Sequence, residues 1–301
     1  MVSKGKNKFR LWWFLITIIS LGYSLTYLGA HWYIYKYINK NYQIIYNTTN
    51  SFGEVWVYND DDMRCLAFEV PSIKTPRQTC IYIDNIQMPV FEYQKMVLGA
   101  LYLNPRPKKI LMLGLGGGAL IRYLQNLVHD YVKFDIVEIN PELKKISKEF
   151  FFLEENKKTE VFIEDAYQYV SRALNTKNYY DLIIMDLFSK EYIPSQFLSI
   201  NFMKMLKGIL STGGVFAINT FTNSKTHSEE SELIKKEFGN FYNLVGDASG
   251  NRIMIAYNGE LPLLELVHYN ADTFHEKFHK MRIEPKWLLS KFMPYKINVD
   301  N

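Results

Sequence analysis

The residues best suited to chemistry in this chain stand where apolar runs end. The run that begins at Lys109 leads into Gly114-Leu115-Gly116-Gly117-Gly118-Ala119. Glycines at such a place let the chain turn sharply and let a ligand approach bare backbone. At the spacing of about 20 residues known from nucleoside sites, the next run ends on Glu138, from which a carboxylate accepts hydrogen bonds from ribose hydroxyls. A third run ends on Asp165, directly before Ala166, where a carboxylate and a backbone amide read an adenine edge. A fourth ends on Asp186. One such carboxylate is readily a helix cap or a solvated strand end. Glycine or acid at four successive run ends describes a nucleoside site.

These positions require elements that align them. From Lys109 onwards, apolar runs alternate with helical patterns. KKILMLGLG precedes ALIRYLQNLV, KFDIVEIN precedes a helix opening at Pro141, and TEVFIEDA, YYDLIIMDLF, GGVFAINTF and NRIMIAYNG continue the series. Runs apolar on both faces and separated by helices predict an α/β fold with a mostly parallel sheet covered on both sides. In such a sheet, ligands bind at the carboxyl ends of the strands, so the acids face one crevice. Residues 41–90 are rich in Tyr, Ile, Val and Thr with short alternation, which predicts a small antiparallel β domain. Phe91 to Leu103 is apolar at helical spacing and ends at Asn104-Pro105.

Two ligand classes compete for the crevice. Gly114-x-Gly116-x-x-Ala119 matches a dinucleotide fingerprint as written. Asp165 before Ala166 is no requirement of NAD binding, and the whole pattern suits an S-adenosyl nucleoside better.

From about Ser51 to Tyr257 the chain resembles the spermidine synthase (polyamine aminopropyltransferase) family, in a divergent branch with an N-terminal transmembrane segment. The pieces that carry the resemblance are Gln78, the helix around Tyr93, the Gly114 to Gly118 loop and VEIN with Glu138. EDA with Asp165, YDLIIMDLF with Asp186, Ile193-Pro194, Phe202 and Gly213-Gly214 follow in order. The resemblance implies a methyltransferase-like Rossmann fold preceded by the small β domain. It implies that Gln78 with Gly114, Gly116, Gly117 and Gly118 holds the aminopropyl-sulfonium end of the co-substrate, Glu138 the ribose, Asp165 and Ala166 the adenine, and Asp186 the reacting centre. The co-substrate is then S-adenosylmethionine or its decarboxylated form, without a metal, and the acceptor a small amine of the putrescine kind. A homodimer is also implied.

The departures matter for the chemistry. The family's glycine loop carries an aspartate where this chain has Gly117, and a second family aspartate after the fourth strand is Ser189 here. The motif of the preceding helix reads Tyr93-Gln94-Lys95. Aminopropyl transfer needs a base for the attacking amine, and Asp186 is the strand-end acid that matches. The donor's ammonium needs a carboxylate partner out of water, and Gly117 and Ser189 remove two. S-adenosylmethionine brings its own carboxylate, so a methyltransferase is the alternative. A non-catalytic nucleoside-binding membrane protein is a third reading.

Composition sets the outer limits. With 301 residues, 48% of them hydrophobic, and two cysteines, the chain is no disulfide-stapled miniprotein, collagen-like repeat or disordered acidic segment. Cys65 and Cys80 can form one bridge but no framework. The net charge of +4 is too mild to argue for nucleic acid, and Lys4, Lys6, Lys8 and Arg10 supply all of it. After that basic tail no formal charge appears until Lys36, and LWWFLITIISLGYSLTYLGA has the length of a bilayer span, with Trp and Tyr at its ends. The expected organisation is therefore a basic tail at 1–10, a transmembrane anchor in lipid at 11–35 and the β domain at 41–90. A nucleoside-binding Rossmann domain at 91–260 and a helical extension at 261–301 complete it. The positive flank leans towards a cytoplasmic N-terminus and a domain on the far side, which conflicts with the cytosolic location of S-adenosyl donors.

His275-Glu276-Lys277-Phe278-His279 matches a zinc-protease pattern. A third ligand on substantial downstream structure is missing, so the segment is read as a surface amphipathic helix, with Asp272 as its cap. His129 and His227 fall in loops and are read as solvated. Asn47-Thr48-Thr49 matches a glycosylation acceptor, a pattern common by chance.

Overall fold

The structure is a computed structural model that describes residues 42–189 and 192–295. The basic tail and the 11–35 anchor lie outside the described residues. The expectation of a single-pass membrane protein is corrected: among the described residues no helix is long and apolar enough to cross a membrane.

The chain first builds a four-stranded antiparallel sheet from β1 (Gln43–Asn50), β2 (Gly53–Asp60), β3 (Met63–Ala67) and β4 (Arg77–Tyr82), in that order. Alternation places Val55, Val57, Leu66 and Ile81 in a core shared with the rest of the molecule. The opposite face buries Tyr58 around a Cys65–Cys80 disulfide, whose cysteines are direct partners across β3 and β4.

Helix α1 (Glu92–Leu98) and a short 3-10 turn (Gly99–Tyr102) lead into the second sheet. Its units are β5 (Lys109–Leu113), α2 (Ala119–Leu127), β6 (Lys133–Glu138), α3 (Pro141–Phe151), β7 (Thr159–Ile163), α4 (Ala166–Asn175) and β8 (Tyr180–Met185). Then follow α5 (Ile200–Gly208), β9 (Leu210–Phe221), α6 (His227–Phe238), β10 (Phe241–Val245) and β11 (Asn251–Tyr257). Helices start where the sequence supplies caps. The Asn140 side chain accepts from Glu142 N before Pro141, Asp165 from Tyr167 N and Gln168 N, and Ser199 from Phe202 N.

The eight strands run in the order β12-β10-β11-β9-β8-β5-β6-β7, where β12 is Met293–Pro294. The five from β9 to β7 are parallel, whereas β11, β10 and β12 pair antiparallel at one edge. The chain winds outwards from β5 to β7, crosses back to β8 and winds the other way, so the switch point lies between β5 and β8. The C-terminal segment holds α7 (Leu264–Asp272), α8 (His275–Lys280) and α9 (Pro285–Ser290) and then adds β12 to the sheet, so it is more than a helical extension.

The small sheet docks at the carboxyl ends of the large one. Tyr46 Oη donates to Glu142 at 2.5 Å, Asn50 Nδ2 to Asn140 Oδ1 at 2.8 Å, and Arg64 to the Phe150 carbonyl at 3.1 Å. That docking roofs the switch point and makes a crevice there.

Candidate functional site

The crevice encloses about 1220 Å³ and is lined from both sheets. Gln78, Gly114, Gly116, Glu138, Asp165, Ala166 and Asp186 all line it, so the residues named from sequence converge. Gly117 and Gly118 stand just behind, in the same loop.

The glycine loop owes its composition to the neighbouring strand. Gly114 has φ +91°, and a Cβ there would lie 2.3 Å from the Asp186 carbonyl oxygen, so no side chain fits where the chain leaves β5 beside β8. Gly118 has φ +78° as it caps α2. Gly117 is closed by Thr79: its amide donates to Thr79 Oγ1 at 2.9 Å, and a Cβ on it would lie 2.7 Å from Thr79 Cγ2. The hydroxyl of buried Thr79 thus takes up the loop amide from the small sheet.

Glu138 is 7% exposed at the end of β6. Its Oε2 accepts from Leu115 N at 3.0 Å and its Oε1 from Asn140 N at 2.8 Å. Burial pushes the carboxyl up from its ordinary value and these amide bonds pull it back. A carboxylate at the end of the second parallel strand suits a vicinal diol. Asp165 does act as a helix cap, but both amide bonds fall on Oδ1. Oδ2 takes part in neither bond, and Asp165 and Ala166 both line the crevice.

Asp186 ends β8 at the switch point. Its Oδ1 accepts from Asn219 Nδ2 at 2.9 Å, and it hydrogen-bonds the Tyr93 phenol. Burial raises its carboxyl above the usual aspartate range, opposed by those two donors. Burial and the Asp186 charge also push Tyr93 well up, so the phenol remains a donor.

Other sequence expectations separate here. The Ser189 hydroxyl donates to the Tyr192 carbonyl at 2.7 Å and offers no substitute acid. Gln94 is buried with its Oε1 accepting from Phe91 N at 3.3 Å. Glu92 turns away and accepts from Ala248 N and Ser249 N, both at 2.9 Å. Sequence reasoning missed Thr79 and Asn219. Asn219 stands near the end of β9, in register with the other strand ends, and that position was a usable signal. Nothing local marks Thr79.

The histidine motif forms α8, which exposes His275, Glu276 and His279 and buries Phe278; its cap is Phe274, since Asp272 closes α7. Among the described residues no group of three or more His, Cys, Asp or Glu is placed to hold a metal. His129 is an exposed loop residue, as expected. His227 is not: it opens α6 with Nε2 2.8 Å from Arg252 Nη1, and burial and that guanidinium hold its pKa below the ordinary value.

Residues 90–248 match the spermine/spermidine synthase domain. The chain is 33% identical over 243 residues to a polyamine aminopropyltransferase of Vibrio vulnificus, covering 80% of this chain and 81% of that protein. A spermidine synthase solved in complex with the transition state analogue AdoDATO superposes with a TM-score of 0.62 at 20% identity, over 83% of this chain and 85% of that one. Human methyltransferase-like protein 13, solved with SAH, shares the fold with a TM-score of 0.57 at 21% identity, over 69% of this chain and 97% of that one.

Proposed function

This chain belongs to the spermine/spermidine synthase family, and from that premise we propose how its crevice transfers an aminopropyl group to a small amine. The chain is a transferase of the polyamine aminopropyltransferase type. Its co-substrate is an S-adenosyl nucleoside, and the decarboxylated form is the donor we propose.

The observation that carries the reading is the pairing of Asp186 with the glycine loop across the switch point. Glu138 accepts the ribose hydroxyls. Asp165 Oδ2 and the Ala166 amide meet the adenine edge. Gly114 and Gly116 keep side chains out of the crevice that Gln78 also lines, where the sulfonium end would lie. Asp186 takes the proton from the attacking amine, and Tyr93 and Asn219 hold its carboxylate in place. Burial raises its pKa above the usual aspartate range, which strengthens it as a proton acceptor. Residues 41–90 supply the roof and residues 91–260 the nucleoside floor.

One observation favours methyl transfer as a second reading. Gly117 has no side chain and the Ser189 hydroxyl is spent on the Tyr192 carbonyl, so neither balances a donor ammonium, whereas S-adenosylmethionine carries its own carboxylate. Mass spectrometry of the protein with each donor and an amine panel separates the two. Methylthioadenosine from the decarboxylated donor supports aminopropyl transfer, S-adenosylhomocysteine supports methylation, and binding without either product overturns both.

A further inference from the structure

This inference rests on the aminopropyl-transfer reading and concerns a residue outside the crevice lining that governs how Asp186 is held. The phenol that bonds Asp186 comes from helix α1, whose first residue, Glu92, stands directly before Tyr93. Glu92 Oε2 accepts from Ala248 N and from Ser249 N, both at 2.9 Å, in the loop that joins β10 to β11. The two bonds link residues 156 and 157 positions apart in the chain.

The loop is shaped to receive this carboxylate. A Cβ on Gly246 would lie 2.6 Å from Glu92 Oε2, so a side chain there would push the carboxylate off the two amides. The loop is itself tied to the C-terminal segment through Asp247, which accepts from Trp287 Nε1 at 2.7 Å and pairs with Lys291. Helix α1 has only seven residues, and its N-cap Phe91 offers no side-chain hydrogen bond. So short a helix takes its orientation from tertiary contacts.

Consecutive residues leave a helix about 100° apart around its axis. Fixing the direction of one side chain therefore fixes the direction of the next. The geometry points to Glu92 as a positioning residue: by clamping the first turn of α1 to the β10–β11 loop, it keeps the Tyr93 phenol on Asp186.

The groups that face Asp186 are Tyr93 from α1 and Asn219 from β9, and both donate to its ionised form. Tyr93 also faces Tyr123 of α2 and Gln94 beside it. Burial raises the Asp186 pKa, and the two donors pull it back. A loosened phenol lets it rise further. Loss of the Glu92 charge would by itself act in the opposite direction, because a neighbouring anion disfavours ionisation of a carboxyl. Positioning and simple charge thus differ in sign.

The test follows methylthioadenosine formation by the full-length protein from decarboxylated S-adenosylmethionine and putrescine across pH. In Glu92→Ala the acid limb of kcat should move to higher pH by about half a pH unit. Glu92→Gln keeps an oxygen for the two amides and should hold the limb near that of the unaltered protein. Tyr93→Phe should raise the limb on its own, and Glu92→Ala added to it should raise it no further. A limb that stays or falls in Glu92→Ala, or rises equally with and without the Tyr93 hydroxyl, overturns the role of Glu92. No methylthioadenosine from the unaltered protein overturns the transfer reading instead, and Glu92 is then judged on Asp186 directly. The carbon-13 carboxyl resonance absent from the Asp186→Asn spectrum should titrate at higher pH in Glu92→Ala, and an unshifted titration overturns the clamp.

Discussion

The Thr79 hydroxyl accepts the Gly117 amide at 2.9 Å, and the Thr79 methyl fills the space that a side chain at position 117 would need. The two residues belong to different sheets and are 38 apart in sequence. Through them the small sheet sets the shape of the glycine loop. The missing aspartate at 117 is therefore bound up with what stands opposite it.

Gly117→Asp alone should lose about 1–3 kcal/mol of stability, because its Cβ would lie 2.7 Å from Thr79 Cγ2. In a Thr79→Ala background the added loss should shrink, since the obstructing methyl is gone. Urea denaturation of the four proteins forms the cycle, and additive effects would show that the two positions do not meet.

Asp186→Asn should lower kcat by about 10²–10⁴ while S-adenosyl nucleoside affinity, read by calorimetry, stays within a few-fold. The isosteric amide keeps the partnership with its neighbours and removes the proton acceptor. Undiminished kcat would remove Asp186 from the base role.

The pH profile carries the same assignment. In the proposed base role Asp186 must be ionised, so the rate should fall on the acid side as pH drops through its pKa, which burial has raised. Asn219 hydrogen-bonds the ionised form and lowers that pKa. Asn219→Ala should therefore move the acid limb of kcat to higher pH, and a limb that stays put or moves lower contradicts the arrangement.

Glu138→Gln should sharply weaken S-adenosyl nucleoside binding. Leu115 N and Asn140 N both point at the carboxylate, and an amide faces one of them with its own NH₂. The mismatch costs about 1–3 kcal/mol in fold stability as well. Calorimetry and thermal unfolding measure the two losses separately, and unchanged affinity would sink the ribose assignment.

Away from the crevice, Arg252 and Glu230 form a fully buried ion pair at 2.7 Å, and Glu230 also accepts from Tyr192, Ser224 and Thr226. Glu230→Ala leaves a buried guanidinium uncompensated and should cost about 3–5 kcal/mol. Thermal unfolding checks it, and a loss below about 1 kcal/mol would mean that water reaches Arg252.

The strand ends were legible because both signals are local. Apolar runs between helical patterns marked β5 to β9, and the residue type at each end marked Gly114, Glu138, Asp165 and Asp186. β10 was not read, since Phe241–Val245 is short and carries Asn243 at its centre. β12 is a two-residue pairing to β10 and has no periodicity to detect. His227 was misplaced in a loop because what holds it, Arg252, is 25 residues away.

From its sequence alone, the chain determined the alternation of elements, the glycine turn and the family, since each depends on neighbours a few residues apart. Tertiary structure decided how the acids are used. Both Glu138 oxygens are engaged by amides, one Asp165 oxygen caps a helix, and the Ser189 hydroxyl is spent on the Tyr192 carbonyl. Strand order decided the rest, by setting Glu138 and Asp165 at the ends of β6 and β7 and Asn219 and Asn251 on β9 and β11, with Asp186 between them. Spacing along a chain specifies which face a residue takes. Which group meets it there depends on how strands distant in sequence lie side by side.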